Sequence, residues 1–201
     1  MRELPTTTRG AATSRRILDA ATEEFVERGI AGARVDRIIT AARTNKAQLY
    51  GYFGSKDGLF DAVVADCLDR AANEIPFDGA DLAGWAVGLY DENLRHPDLV
   101  RLMGWIRLER RPGGVVLHNL DLEPKLKAVA HAQAAGLVRP GEPFDLLALV
   151  VGMACAWSPT SGVYAASRDE PAADHDRRRT LLHEFVERAV STGGAKGIPL
   201  S

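Results

Sequence analysis

The spacing of apolar residues between positions 14 and 54 places the tightest limit on what this chain can fold into. Apolar side chains recur at helical intervals from Ile17 to Val26, and Gly29 can end the helix that they predict. A second, shorter apolar stripe covers residues 35–42, and only two residues separate it from the next segment of helical character. The N-terminal part of the chain is therefore predicted to be a set of short, closely connected helices.

The third of these helices carries clear start and stop signals. Asn45 can cap it by accepting a backbone N–H, and Gln48 can reach back toward the cap. Gly51 weakens the helix by about 1 kcal/mol relative to alanine, Gly54 stops it, and Ser55 can cap a fourth helix. A helix, a tight turn and a short helix form a helix-turn-helix, whose second helix lies in the DNA major groove, but the spacing also fits an ordinary helical hairpin.

The rest of the chain also has a helical pattern, so the predicted fold class is all-α. Apolar residues at helical spacing indicate helices near residues 85–106, which Pro97 interrupts, and near residues 122–136. The segment 143–159 is apolar nearly all round but shorter than the roughly 20 residues that span a bilayer, so we predict a helix buried on several faces. The last amphipathic helix is predicted over 177–194.

The charge distribution suits a protein that meets a polyanion with one end only. Residues 1–54 hold 9 Lys and Arg against 6 Asp and Glu, whereas the remainder holds 16 against 21. A basic N-terminal part attached to an acidic body is typical of nucleic-acid binding confined to the N-terminal part.

Other classes of protein receive little support. The sequence has neither an apolar run long enough for a membrane span nor the apolar core of a signal peptide, so we expect a cytoplasmic protein without a membrane partner. Cys67 and Cys155 lie far apart without metal-ligand spacing, so no disulfide, metal site or cofactor is expected. The HEFVE segment at 183–187 is not a zinc-protease motif, and no catalytic constellation is found. The Asp174–Asp176 run, which contains a histidine, is interpreted as part of a solvated polar connection.

The order of residues 13–64 resembles the N-terminal domain of the TetR family of transcriptional regulators. The most specific part is LYGYFGSKDGLF at 49–60, which is similar to the signature at the end of that family's recognition helix. The resemblance implies a flexible arm over 1–12, a helix-turn-helix DNA-binding domain over 13–56 and a ligand-binding and dimerisation domain over 57–201. It further implies a homodimer that binds a palindromic operator in double-stranded DNA, an unidentified small-molecule effector, and repression as the favoured mode of action.

The candidate DNA-binding residues follow from the pattern and the resemblance together. Gln48 can pair with adenine or can serve the helix cap, and the sequence leaves both roles open. Tyr50, Tyr52 and Lys56 match the family's phosphate-contacting positions, although the tyrosines could also be core residues. The turn departs from the family's usual glycine and apolar residue, which also leaves open a helical interaction module that has lost specific DNA binding. The full candidate set is Arg34, Arg37, Arg43, Thr44, Asn45, Lys46, Gln48, Tyr50, Tyr52 and Lys56.

The predicted body offers two further sets of candidates. Large, adaptable side chains on its helices are predicted to line an effector pocket or simply to fill the core, with histidine as an orienting polar group. The apolar band of the last helix is predicted to lie in the dimer interface, because a long exposed apolar face would aggregate. The pocket candidates are Trp85, Tyr90, Met103, Trp105, Ile106, His118, Met153 and Trp157. The interface candidates are Leu181, Leu182, Phe185, Val186, Ala189 and Val190.

Overall fold

A computed structural model describes residues 8–72, 75–110 and 122–193, and the regular elements within these ranges are nine α-helices and one π-helical turn. The predicted all-α class is confirmed. The helices are α1 (Thr8–Gly32), α2 (Val35–Ala41), α3 (Lys46–Phe53), α4 (Lys56–Ala72), α5 (Leu82–Arg95), α6 (Pro97–Trp105), α7 (Glu123–Ala134), α8 (Pro143–Ala154) and α9 (Ala172–Val190), and the π-helical turn (Ile106–Arg110) follows α6 directly.

The chain divides into two compact units. Within the described residues, the first comprises residues 8–70 and 98–110, and the second comprises residues 71–72, 75–97 and 122–193. The first unit thus contains α1 to α3, nearly all of α4 and α6, and the π-helical turn, whereas the second contains α5, α7, α8 and α9.

The core of the first unit is built around two aromatic rings. Phe25 of α1 and Phe60 of α4 are both fully buried and meet edge to face, with ring centroids 5.0 Å apart. Leu49 and Phe53 of α3 are buried in the same core, as the helical spacing predicts. The packing continues beyond the predicted domain boundary at residue 56, because buried residues of α4, and Leu102 of α6, belong to this core.

A glycine interrupts α1 near its C-terminal end. Gly29 has φ 67° and ψ −178°, so the helical path breaks there, as the sequence predicts. The carboxylate of Glu109 accepts hydrogen bonds from the backbone N–H groups of Ile30 (3.1 Å) and Ala31 (2.8 Å) just beyond the break. Trp105 lies against Gly29 so closely that a Cβ atom at that position would come within 2.9 Å of the indole ring. The break therefore provides the space that α6 and the π-helical turn occupy.

The core of the second unit is formed mainly by α5, α8 and α9. Tyr90, Val129, Val150 and Val186 are almost completely buried there. Helix α8, however, exposes several apolar side chains, including Leu149 at 65%. The prediction that this helix is buried on several faces is wrong within the unit, because its contacts with α5, α7 and α9 leave one stripe uncovered.

No helix in the described part of the chain combines the length and the apolar character that a membrane span requires.

Candidate nucleic-acid interface

Helices α2 and α3 form the predicted helix-turn-helix. Asn45 has extended backbone angles, and its Oδ1 accepts a hydrogen bond from the backbone N–H of Gln48 at 2.9 Å, which confirms the predicted cap of α3. Leu49 and Phe53 face the core, whereas Lys46, Gln48 and Tyr50 of the same helix are exposed. The second helix of the motif thus presents polar and aromatic groups to a partner while its apolar stripe fixes it to the unit.

The side chain of Gln48 is held by its neighbour in the turn. The Thr44 hydroxyl donates to Gln48 Oε1 at 2.6 Å, so the amide is held by Thr44 in this structure. A carbonyl oxygen has two lone pairs, so Oε1 can accept a second hydrogen bond while Nε2 donates one. This is the donor and acceptor pair with which glutamine recognises adenine in the major groove.

Arg43 occupies a strained position in the turn. Its φ of 49° makes it the one non-glycine residue in the described ranges with a left-handed backbone. Such a conformation costs about 1–2 kcal/mol for an L-residue. Hydrogen bonds from Arg43 N to Thr40 O (3.2 Å) and from Thr44 N to Ile39 O (3.0 Å) hold the turn in place. The turn thereby places the exposed Arg43 next to the start of α3.

Arg37 is engaged in binding α2 to α1. Its guanidinium donates to the carboxylate of Glu24, with Nε to Oε1 at 2.8 Å, and the same carboxylate accepts the backbone N–H of Arg34 at 2.9 Å. The hydrogen bonds from Arg37, joined by that from Arg34, hold the pKa of Glu24 below its ordinary value although burial opposes this. The Arg37 donors are thus less available to a phosphate than those of the exposed Arg34. Sequence reasoning missed Glu24 because its partners lie ten and thirteen positions away.

Lys46 and Lys56 have different surroundings. The ammonium of Lys46 lies 2.7 Å from the carboxylate of Asp36, and this hydrogen bond raises the pKa of Lys46. Both groups are exposed, so Lys46 could exchange Asp36 for a DNA phosphate at little cost in free energy. The half-buried Lys56 donates from Nζ to the backbone oxygen of Ala33 at 3.3 Å, which places its charge near the start of α2.

The two tyrosines of α3 are not equivalent. Tyr50 is exposed, whereas Tyr52 is half-buried against the core and meets Phe53 edge to face, with ring centroids 6.2 Å apart. Tyr52 therefore contributes to the packing while part of its side chain stays at the surface, and its contact with a phosphate stays a prediction.

The pocket candidates are distributed over both units. Trp85, Tyr90, Met153 and Trp157 belong to the core of the second unit or pack against it. The corresponding candidates of the first unit are Met103 and Ile106 in or against its core, and Trp105, whose Nε1 donates to Val26 O at 3.4 Å. His118 lies outside the described residues.

The Asp174–Asp176 run is not the polar connection that the sequence suggests. It lies in the first turns of α9, and its histidine, His175, is buried beside Tyr90 with an O–N distance of 2.7 Å between the phenol and Nδ1. Charged residues before position 177 hide the helical pattern in this segment. The sequence therefore predicts the start of the helix later than the structure shows it.

The interface candidates on α9 separate into two stripes. Because successive residues are about 100° apart around a helix, neighbours in the sequence face different directions. Leu182, Val186 and Val190 are buried in the core of the second unit, whereas Leu181, Phe185 and Ala189 are exposed.

Two substitutions test how Gln48 is oriented. Gln48→Ala is expected to relax the preference for one base pair in each half-site by about 1–3 kcal/mol, because the bidentate contact is lost. Thr44→Val keeps the side-chain volume but removes the hydroxyl donor, so it is expected to relax the same position to a smaller extent. Affinities for a duplex series with each base at that position would measure both effects. An unchanged preference in Thr44→Val beside a changed one in Gln48→Ala would show that Thr44 does not orient the amide.

Lys56→Ala is expected to weaken binding to all duplexes about equally. If its ammonium neutralises one phosphate, the slope of log K against log salt should become shallower by about 1 per protomer. Anisotropy titrations over a salt series measure the slope, and Lys127→Ala on α7 provides the control, since that lysine is exposed and paired with Glu123. A slope equal to that of the unmodified protein would show that Lys56 does not neutralise a phosphate and only makes its hydrogen bond to Ala33.

The ion pair of Glu24 should make stability depend on pH in acid. The folded-state pKa of Glu24 lies below the ordinary value of 4.5, so its stabilising effect is complete above that value and is lost as the pH falls through the folded-state pKa. Urea unfolding at neutral pH and at about pH 3 should therefore show a smaller loss of stability in Glu24→Gln than in the unmodified protein. Glu27→Gln, a change on the same helix at an exposed side chain, should behave as the unmodified protein does. Equal losses in all three proteins would contradict this role of Glu24.

Comparisons with known proteins agree with this geometry. Residues 17–63 match the family model described as "Bacterial regulatory proteins, tetR family", and residues 81–188 match "Tetracyclin repressor-like, C-terminal domain". The chain is 38% identical over 148 residues to the HTH-type transcriptional repressor SCO4008 of Streptomyces coelicolor, which covers 71% of this chain and 77% of that protein. It is 30% identical over 131 residues to the HTH-type transcriptional repressor NicS of Pseudomonas putida, covering 62% of this chain and 58% of that one.

A solved structure gives the same result. The transcriptional regulator SCO4942 of Streptomyces coelicolor superposes with a TM-score of 0.72 at 35% sequence identity, covering 90% of this chain and 99% of that chain. The relatives are transcriptional regulators and not enzymes. The chain therefore belongs to the TetR family and is a DNA-binding transcriptional regulator.

Proposed function

We propose that the protein is a ligand-responsive repressor that binds a palindromic operator as a homodimer in the cytoplasm. The observation that carries the proposal is the hydrogen bond by which Thr44 holds the exposed Gln48 side chain of α3, a helix that also exposes Lys46 and Tyr50. Its relatives SCO4008 and NicS are both named as repressors, which supports repression as the mode of action.

In the proposed complex, α3 lies in the major groove. Gln48 reads a base edge, while Tyr50, Tyr52 and Lys56 bind phosphates and fix the register of the helix. Arg34 and Arg43 add positive charge on either side of α2, and Asn45 fixes the start of α3. The strained backbone of Arg43 supports this role, since costly conformations are found preferentially at functional positions.

The exposed apolar surface of the second unit supports the homodimer. The contacting helices α8 and α9 expose Leu149 and Val151, and Leu181 and Phe185, respectively. These side chains gain stability when a second copy covers them, and two such helix pairs form a four-helix interface. Two-fold symmetry then gives two recognition helices and an operator with inverted half-sites, with centres about 34 Å apart for adjacent helical turns.

The effector acts in this proposal by shifting the dimer between two states. A small molecule that binds more tightly to the state in which the two recognition helices are wrongly spaced for the operator releases the DNA. The size of its effect is limited by the difference in its affinity for the two states.

Selection from a random pool of duplexes tests the proposal. The protein is expected to enrich an inverted repeat. Both half-sites should be enriched, and two-fold symmetry should relate them. Enrichment of a single, unrepeated site would contradict the homodimeric mode of binding. A failure to enrich any sequence would contradict specific DNA recognition and would instead favour a helical interaction module.

A further inference from the structure

Arg16 of α1 reaches the turn of the helix-turn-helix. Its Nε donates to the backbone oxygen of Ala42 at 3.2 Å, and its Nη2 donates to the hydroxyl of Thr13 at 3.2 Å. Ala42 caps the C-terminal end of α2, and Arg43 with its left-handed backbone follows it directly. The guanidinium thus lies beside the turn although Arg16 is 26 positions away from Ala42, so no local pattern in the sequence reveals this contact.

The hydrogen bond to Ala42 supplies what the end of α2 lacks. The last carbonyl groups of a helix have no partner within the helix, and a cation beside them also interacts favourably with the helix dipole. Helix α2 has no basic residue in its own last turn, so Arg16 provides the donor and the positive charge from α1. Its two hydrogen bonds fix the guanidinium at the turn.

The charge of Arg16 is not compensated within the described part of the chain. Both of its acceptors are neutral, and no described carboxylate forms an ion pair with it. The neighbouring Arg15 differs, because it pairs with Asp19 and with Asp66, each at 2.6 Å. The Arg16 side chain is exposed, and its Nη1 makes no hydrogen bond to any described residue. One end of the guanidinium is therefore available to an anionic group outside the chain.

The segments that meet at this contact contain no acidic residue. Residues 8–18 at the start of α1 hold three Lys or Arg, and residues 37–56, which include the turn and α3, hold four. The planar guanidinium matches the geometry of a phosphate group, whose oxygens can accept two of its N–H donors. A phosphate of the DNA backbone is thus the anion that suits Arg16 at this place.

We propose that Arg16 is a further DNA-contacting residue, whose Nη1 donates to a backbone phosphate while its Nε holds the turn through Ala42. One guanidinium can do both, because its five N–H donors point in different directions. The inference rests on the proposed placement of α3 in the major groove, since the turn that Arg16 holds leads directly into α3. A phosphate contact carries no sequence information, so Arg16 adds affinity for every duplex.

A salt series with a charge-removing variant tests the phosphate contact on the enriched inverted repeat and on a shuffled duplex. For Arg16→Gln, the slope of log K against log salt should become shallower by about 0.9 per protomer on both duplexes, so a tenfold rise in salt costs about eightfold less affinity per protomer than in the unmodified protein. Arg101→Gln is the matched control, because Arg101 is an exposed arginine of the first unit on α6, outside the helix-turn-helix. Equal slopes in the two variants would overturn the contact.

Arg16→Lys separates the charge from the geometry of the turn. Lysine keeps the positive charge but lacks the planar fork that can hold Ala42 and a phosphate together. We expect this variant to keep the salt slope of the unmodified protein while its affinity falls by about two- to tenfold, as for the loss of one hydrogen bond. If Arg16 only holds the turn, Arg16→Gln and Arg16→Lys will both keep the unmodified slope, which would contradict the phosphate contact.

Two further measurements keep a folding defect and a failure of the proposed function apart from this inference. Urea unfolding gives the folded fraction of each variant at the assay temperature, and a loss of affinity in Arg16→Gln that this fraction fully explains would overturn the contact. If the unmodified protein binds neither duplex at low salt, the proposed function fails and the contact fails with it. Normal binding by the unmodified protein with an unchanged slope in Arg16→Gln contradicts the contact alone.

Discussion

Phe185→Glu is expected to convert the proposed dimer into a monomer and to weaken binding to a two-half-site operator by about 10²–10⁴-fold, because the second half-site would no longer be bound intramolecularly. Phe185 is 56% exposed in the single chain, so a glutamate there leaves the monomer core unchanged. In the proposed interface, the carboxylate would lose its hydration without gaining a partner, which strongly opposes association.

Light scattering would give the mass of the variant, and anisotropy would give its affinity for the inverted repeat and for one half-site. His183→Glu is the matched control, since His183 is exposed on nearly the opposite side of the same helix. We expect His183→Glu to remain dimeric. A dimeric Phe185→Glu variant with unchanged operator affinity would place the interface elsewhere.

Gly29→Ala is expected to lower the stability of the first unit by about 2–4 kcal/mol, because it combines backbone strain with overpacking. A positive φ of 67° is unfavourable for alanine, and the new Cβ would clash with Glu109 Oε1 and lie 2.9 Å from the Trp105 ring. The carboxylate can move, but it would then lose its hydrogen bonds to Ile30 and Ala31.

Urea unfolding measures this effect, and Gly51→Ala provides the opposite control. A Cβ at Gly51 meets nothing within 4 Å, so alanine there should stabilise α3 by up to about 1 kcal/mol. Equal stabilities of Gly29→Ala and the unmodified protein would show that the break in α1 is not required by its neighbours.

The sequence predicts the helices of this protein better than it predicts their contacts. Helix bounds follow from local signals, such as the Asn45 cap and the conformation of Gly54, which depend on a few adjacent residues. The side-chain bonds of the interface depend on distances across the fold. No local pattern distinguishes Glu24, which holds Arg37, from the exposed Glu23 beside it.

The contacts of the second unit are also poorly predicted from the sequence. A helix as apolar as α8 is predicted to be buried all round, because a single sequence does not reveal how many neighbours will cover it. The exposed Leu149 instead leaves apolar surface for the partner that we propose. Similarly, the charged residues beside His175 suggest a solvated loop, although the ring is buried through its contact with Tyr90, 85 positions away.

The measurement that tests the account most directly is fluorescence anisotropy with the enriched inverted repeat and a shuffled duplex of equal composition, each at low and at physiological salt. The account predicts tight binding to the inverted repeat, much weaker binding to the shuffled duplex, and a steep loss of affinity as salt increases, because phosphate contacts release counterions. Equal affinity for both duplexes, or no binding even at low salt, would contradict sequence recognition by α3.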